Sequence, residues 1–255
     1  MPIPPCERKR FEPNPLVEVV FQARFTSLLE IETEIPVVFH EKIRDLYPLF
    51  SSNSVVDVEI NSTDLSKQNF NQARRYEAKS IDGNWQIVLT SDFLAVLTKA
   101  YDNWSEFKSH VDLALAAFFS VYKPAQFTRI GLRYIDQISK ESYGLQNETW
   151  KDLLQPHVAG VLSAEDINED ELVALQNQFV LSLPNDSKVT VRHGFAVNKK
   201  DQAVNDYYID TDFYTESLMG ASKDGALTSL EGFREYTNSL FQWCISERLK
   251  EAMER

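Results

Sequence analysis

Two arginines flanking a glycine on one strand-like segment pose the first chemical question. In Phe127 to Asp136, FTRIGLRYID, counting by two puts Arg129, Gly131 and Arg133 on one face and Ile130, Leu132 and Tyr134 on the other. Guanidinium forks bind phosphate and carboxylate oxygens in pairs, and the glycine between them leaves room for an anion against the strand. Arg24 sits on the polar face of a second alternating segment. Arg24, Arg129 and Arg133 are therefore the candidate anion-binding residues. The same pattern suits cross-strand ion pairs on an open sheet face, each worth under about 1 kcal/mol where exposed.

A second row is acidic. Asp206, Tyr208, Asp210, Asp212 and Tyr214 share one face of a strand, and Tyr207, Ile209, Thr211 and Phe213 share the other. Asp210 and Asp212 are candidate Mg²⁺ ligands, because that ion takes a few carboxylates and keeps several waters. They equally suit pairing with Arg129 and Arg133, or a solvent-facing acidic strand. No other cofactor is expected. A third cluster, Glu165, Asp166, Glu169, Asp170 and Glu171, reads either as a solvated face or as a docking surface for a basic partner.

Several chemistries are excluded. The four histidines, His40, His110, His157 and His193, are scattered with no zinc-ligand spacing. The chain has no P-loop, no dinucleotide-binding glycine motif and no nucleophile elbow, and only eight glycines in all. Neither Cys6 nor Cys244 has a catalytic signature, so no catalytic residue is assigned. Two distant cysteines make no disulfide framework, which fits a reducing cytosol. No apolar run approaches the roughly 18 residues of a membrane span, and no signal-peptide core follows the first Met. A cytoplasmic protein without membrane contact is expected.

The net charge of −12 is unevenly spread. From Ser139 onward there are 11 bases and 20 acids, against 15 and 18 before it. A polyphosphate is repelled by such a second half, so direct nucleic-acid binding is disfavoured. The acid excess also serves solubility. With 43% hydrophobic residues and 12% aromatics, the chain can bury a core and is not intrinsically disordered.

These side chains need elements to hold them. Residues 1–15, with five prolines and Arg8, Lys9 and Arg10, read as an extended arm. Leu16 to Phe25 alternates with period two and predicts a strand: Val19, Phe21, Ala23 and Phe25 inward, Glu18, Val20, Gln22 and Arg24 outward. Pro36 to Tyr47 predicts a helix, and Val55 to Ile60 a strand. Asn61 to Gln72 reads as a loop. Arg75 to Ile81 and Trp85 to Thr90 predict a hairpin around Asp82-Gly83, and Phe93 to Lys99 continues as strand after a bulge at Ser91-Asp92. Asn103 with Glu106 forms a capping box for a helix ending before Pro124, and Phe127 to Ile138 is the next strand.

Residues 16–138 thus read as a βαββαβ lobe, the ferredoxin-like split βαβ arrangement, with helices on one face of an antiparallel sheet. In residues 139–255, Val173 to Leu183 and Lys188 to Val197 form a hairpin. Asp206 to Tyr214 is a further strand, and a long helix starts at the Thr228–Glu231 capping box. The expected class is α+β, as two lobes or as one continuous domain.

Four segments carry a resemblance: NPLVEVVFQARF at Asn14 to Phe25, WSEFKSHV at Trp104 to Val111, FTRIGLRYID at Phe127 to Asp136 and YYIDTDFY at Tyr207 to Tyr214. Together they resemble a sporadically distributed bacterial family of about 250 residues with no settled function. The resemblance implies a bacterial cytosolic protein of patchy distribution, a pattern often associated with mobile or defence-related genes, and it supplies no catalytic residues. Two functions follow as expectations. The first is a non-enzymatic binding or regulatory protein acting through protein–protein contacts, such as an antitoxin-like or defence-associated accessory, with homo-oligomers allowed. The second is a sensor or metal-assisted enzyme that takes phosphate or a nucleotide in a polar Arg/Asp cleft.

Overall fold

The computed structural model describes residues 3–60, 68–197 and 205–254. The chain runs β1 (Leu16–Phe25), α1 (Leu29–Thr33), α2 (Val37–Ile43), β2 (Leu49–Ile60), β3 (Gln68–Lys79), β4 (Trp85–Leu89), β5 (Phe93–Thr98), α3 (Trp104–Val121) and β6 (Gln126–Ile138). It continues α4 (Trp150–Leu153), α5 (Pro156–Ala159), β7 (Gln176–Leu183), β8 (Ser187–Val197), β9 (Asn205–Thr215), β10 (Met219–Gly220), α6 (Lys223–Cys244) and α7 (Glu247–Met253). Among the described residues ten strands form one antiparallel sheet, so the fold is α+β. No helix among the described residues is long and apolar enough to cross a membrane.

The chain divides into two compact units. The first comprises Val20–Gly131 and Glu216–Ser229, the second Met1–Val19, Leu132–Thr215 and Leu230–Arg255. β1, β6 and α6 therefore each begin in one unit and end in the other.

In the first unit the strand order is β2-β3-β4-β5-β1-β6, with β10 paired to β6. The alternation of β1 does what period two requires: Phe21, Ala23 and Phe25 are buried, Gln22 is half-buried and Arg24 is exposed. α3 covers the buried face. Its N-cap Asn103 accepts from the Glu106 backbone N–H at 3.0 Å, a cap worth about 1 kcal/mol. From it Phe118 meets Phe25 at 4.9 Å between ring centroids, Phe119 meets Phe127 at 6.0 Å and Phe107 meets Trp85 at 6.1 Å. The expected bulge at Ser91-Asp92 is instead a reversal. Thr90 Oγ1 donates to Asp92 Oδ1 at 2.7 Å, and β4 and β5 pair with Leu89 opposite Leu94. β2 and β3 are longer than predicted, and β3 takes in Gln68 to Gln72, five residues of the expected loop; the rest of that loop, residues 61–67, lies outside the described residues.

In the second unit the order is β6-β9-β8-β7. The residues before β1 lie extended along α6. Asn238 Nδ2 donates to the Lys9 carbonyl at 2.9 Å and Gln242 Nε2 to the Glu7 carbonyl at 2.8 Å, while Phe11 packs on Phe241 at 5.5 Å. The C-terminal helical stretch is two helices. The backbone breaks at Ile245-Ser246, where Ile245 bridges to Leu154 and Ser246 Oγ caps α7 by accepting from the Leu249 N–H at 3.3 Å. α6 also begins earlier than the Thr228–Glu231 box suggests. Ser222 Oγ accepts from the Gly225 N–H at 3.1 Å and starts the helix there, leaving Thr228 inside it.

Candidate functional site

The polar face of β9 is knit together within the second unit. Arg133 on β6 forms a fork with Asp210: Nε donates to Oδ1 at 2.7 Å and Nη2 to Oδ2 at 2.8 Å. Arg192, directly opposite Asp210 on β8, donates from Nη1 to Oδ2 at 3.4 Å and from Nε to Gln178 Oε1 at 3.1 Å. Four residues along each strand, on the same face, Gln137 Nε2 donates to Asp206 Oδ2 at 2.7 Å. The Asp210 side chain is left 6% exposed, so both its oxygens face guanidinium groups rather than water. The Asp210 carboxylate raises the Arg133 pKa further. Chemically, the Arg133 fork already grips a carboxylate, and that carboxylate belongs to the chain itself. Asp212 lies two residues on, opposite Thr190 and half-buried. Among the described residues no group of three or more His, Cys, Asp or Glu is placed to hold a metal ion.

Arg24 and Arg129 belong to the first unit. Arg129 Nη1 donates to Gln22 Oε1 at 3.2 Å, and its guanidinium lies over Gly131. A Cβ added at that glycine would stand 2.4 Å from Nη1. The space that the glycine opens is thus filled by the neighbouring arginine. Arg24 is exposed and stacks over Phe93, its Cζ 5.9 Å from the ring centroid. The structure brings Arg133 together with Asp210, while Arg129 and Arg24 each have partners of their own within the first unit.

The acidic cluster divides in two. Glu169 is structural: it accepts from Lys140 Nζ at 2.6 Å and from the Trp150 backbone N–H at 2.6 Å, fixing the start of α4. Lys140 also lies over the Trp150 ring at 4.9 Å. Glu165, Asp166, Asp170 and Glu171 are exposed.

One feature of the second unit belongs to no sequence motif. Asp136 falls in phase with Leu132, Tyr134 and Ile138, on the apolar face of β6, and is 8% exposed. Burial pushes its carboxyl up to about 8, with no hydrogen bond or ion pair to offset the desolvation among the described residues. Its charge bears on Tyr143 and on the buried Cys244, whose thiol burial pushes up to about 12. On β9, Tyr207 shares a 2.7 Å hydrogen bond with His193 Nδ1 on β8 and packs on Trp150 at 5.1 Å. Burial holds His193 neutral, its pKa lowered to about 4. His157 stacks on Trp243 at 3.9 Å and is likewise shifted down by burial. The signal that could have found Asp136 was its phase: an acid in register with three apolar residues of an alternating strand.

Compared with known proteins, the chain matches no family model and no curated protein.

Proposed function

We propose that this is a non-enzymatic cytosolic binding protein that acts through protein–protein contacts, and that its docking face is the α1–α2 segment of the first unit. One observation carries the reading. Leu29, Ile35, Val37, Val38, Leu46 and Leu49 are each 52–69% exposed within a stretch of 21 residues. Single exposed aliphatics are ordinary on any surface, but a concentration of this kind is the mark of an interaction site. The pairing of Arg133 with Asp210 supports the same reading, since it occupies the fork best suited to an external anion.

In this proposal the order β4-β5-β1-β6, with helices after β1 and after β5, is the split βαβ lobe enlarged by the β2–β3 pair. In that lobe α1 and α2 form the first crossover, an element free to present side chains outward.

The test is cross-linking mass spectrometry on the tagged full-length protein in its native host, run beside a Val37→Asp/Val38→Asp variant. Loss of a stoichiometric cross-linked partner in the variant, with an unchanged melting temperature, is expected. A variant that keeps every partner overturns the assignment of this face. A charge-reversed variant at Glu165, Asp166, Asp170 and Glu171 tests the acidic surface in the same experiment.

A further inference from the structure

Beside the exposed aliphatics, the first unit holds a groove of about 340 Å³. Ile35, Val37 and Val38 line it from the entry to α2, and Tyr122 from the end of α3. The charged residues that line it are Glu30 and Glu34, both exposed and neither held by an ion pair among the described residues. Their charges reach the groove, because both act to raise the pKa of the Tyr122 hydroxyl beyond what burial alone does.

We infer that this groove takes a segment of a partner protein in which aliphatic side chains are flanked by lysine or arginine. The inference rests on the protein-contact reading above and adds the partner's chemistry. Three observations point to this occupant. Ile35, Val37, Val38 and Val121 make one part of the lining aliphatic, which takes an apolar anchor. The rim is doubly anionic, so it selects cations on either side of that anchor and rejects acidic segments. Leu29, the chain neighbour of the groove-lining Glu30, adds a further aliphatic side chain that is 69% exposed. A small amphiphile would leave Leu29 uncovered, whereas a helix or extended segment is long enough to reach it. A second copy of this chain, at net charge −12, is the less complementary occupant.

The experiment uses the full chain, ¹³C-labelled at valine methyls, and three probes. Two are 14-residue amphipathic peptides with the same leucine pattern, one carrying lysine and the other glutamate at every polar position. The third is n-octylamine. The lysine peptide is expected to shift the Val37 and Val38 methyl resonances and to bind at least tenfold tighter than the glutamate peptide, with the gap closing as salt rises. Glu30→Gln/Glu34→Gln, two isosteric changes at exposed positions, should weaken the lysine peptide roughly tenfold and leave the glutamate peptide unweakened. Far-UV circular dichroism checks that the variant is folded.

Equal binding of the two peptides overturns the inference, as does a lysine peptide that leaves both methyls unmoved. Methyl shifts produced by octylamine without the lysine peptide overturn it in favour of a small amphiphile. Failure of the peptides while the Val37→Asp/Val38→Asp variant still loses a native partner leaves the docking face standing and refutes the basic partner. Failure of both experiments refutes the two together.

Discussion

Asp136→Asn should change how stability depends on pH, with its largest effect at pH 8 and above. The folded carboxyl titrates at about 8, against 3.8 for the unperturbed group. Between those values the unfolded chain has released a proton that the folded chain keeps, so stability falls as pH rises. The slope is about 1.4 kcal/mol per pH unit, and the fall stops once pH passes the folded pKa. From pH 5 to pH 8 this amounts to about 4 kcal/mol. His193 works in the opposite sense. Its folded pKa is lowered to about 4 from 6.5, so its contribution is present above pH 6.5 and is lost as pH falls toward 4. The two slopes oppose each other between pH 4 and 6.5, and the Asp136 slope stands alone from there to pH 8. Asparagine keeps the shape of the carboxylic acid and cannot ionise, so subtracting the two proteins removes the histidine contribution. Urea denaturation at half-unit steps from pH 5 to 9 is the assay. The advantage of the asparagine variant should grow steadily to pH 8 and then level off. A difference that stays flat from pH 5 to 8 would refute the claim that this carboxyl is desolvated without compensation.

Three further outcomes can be checked. Arg133→Met should cost about 1–3 kcal/mol in chemical denaturation, because it leaves the enclosed Asp210 with Arg192 alone at 3.4 Å. Adding Asp210→Leu should restore much of that loss, since an apolar pair replaces an ion pair better than a lone charge does. Gly194→Ala should destabilise by about 2 kcal/mol or more in the same assay, because its Cβ would come 1.8 Å from the Leu175 carbonyl oxygen, and backbone cannot rotate away as a side chain can. At pH 8 the native protein should react with one equivalent of a thiol reagent, at the exposed Cys6, and denatured protein with two, because Cys244 is buried.

What sequence reasoning could reach depended on how local the deciding physics was. β1 and α3 were legible because their periodicities run unbroken for ten and eighteen residues, and Asn103 supplies its cap from within the same segment. The start of α6 was not. Thr228 and Glu231 satisfy the capping pattern, yet Ser222 competes for the same role six residues earlier and prevails. The turn at Ser91-Asp92 was missed for a related reason. Nothing in the flanking apolar runs says whether the second continues the first or returns beside it, and a threonine-to-aspartate side-chain bond settles it. Alternation alone places Arg133 and Asp210 each on a polar face. Their partnership depends on β6 lying beside β9, a pairing between segments more than seventy residues apart that no local pattern encodes. The groove was illegible because Val121 and Tyr122 reach it from the far end of α3.

The interleaving of the two units has a consequence for synthesis. Residues 20–131, most of the first unit, leave the ribosome as one uninterrupted stretch and hold nearly all the partners they need. The second unit is assembled from the opening nineteen residues, a middle block and the closing twenty-six. Its opening stretch must wait for the last helices to emerge before Asn238 and Gln242 can take hold of it. Nascent chains arrested short of α6 should therefore protect the first unit from protease well before the residues that precede β1, and those residues should become resistant late and together with the C-terminus.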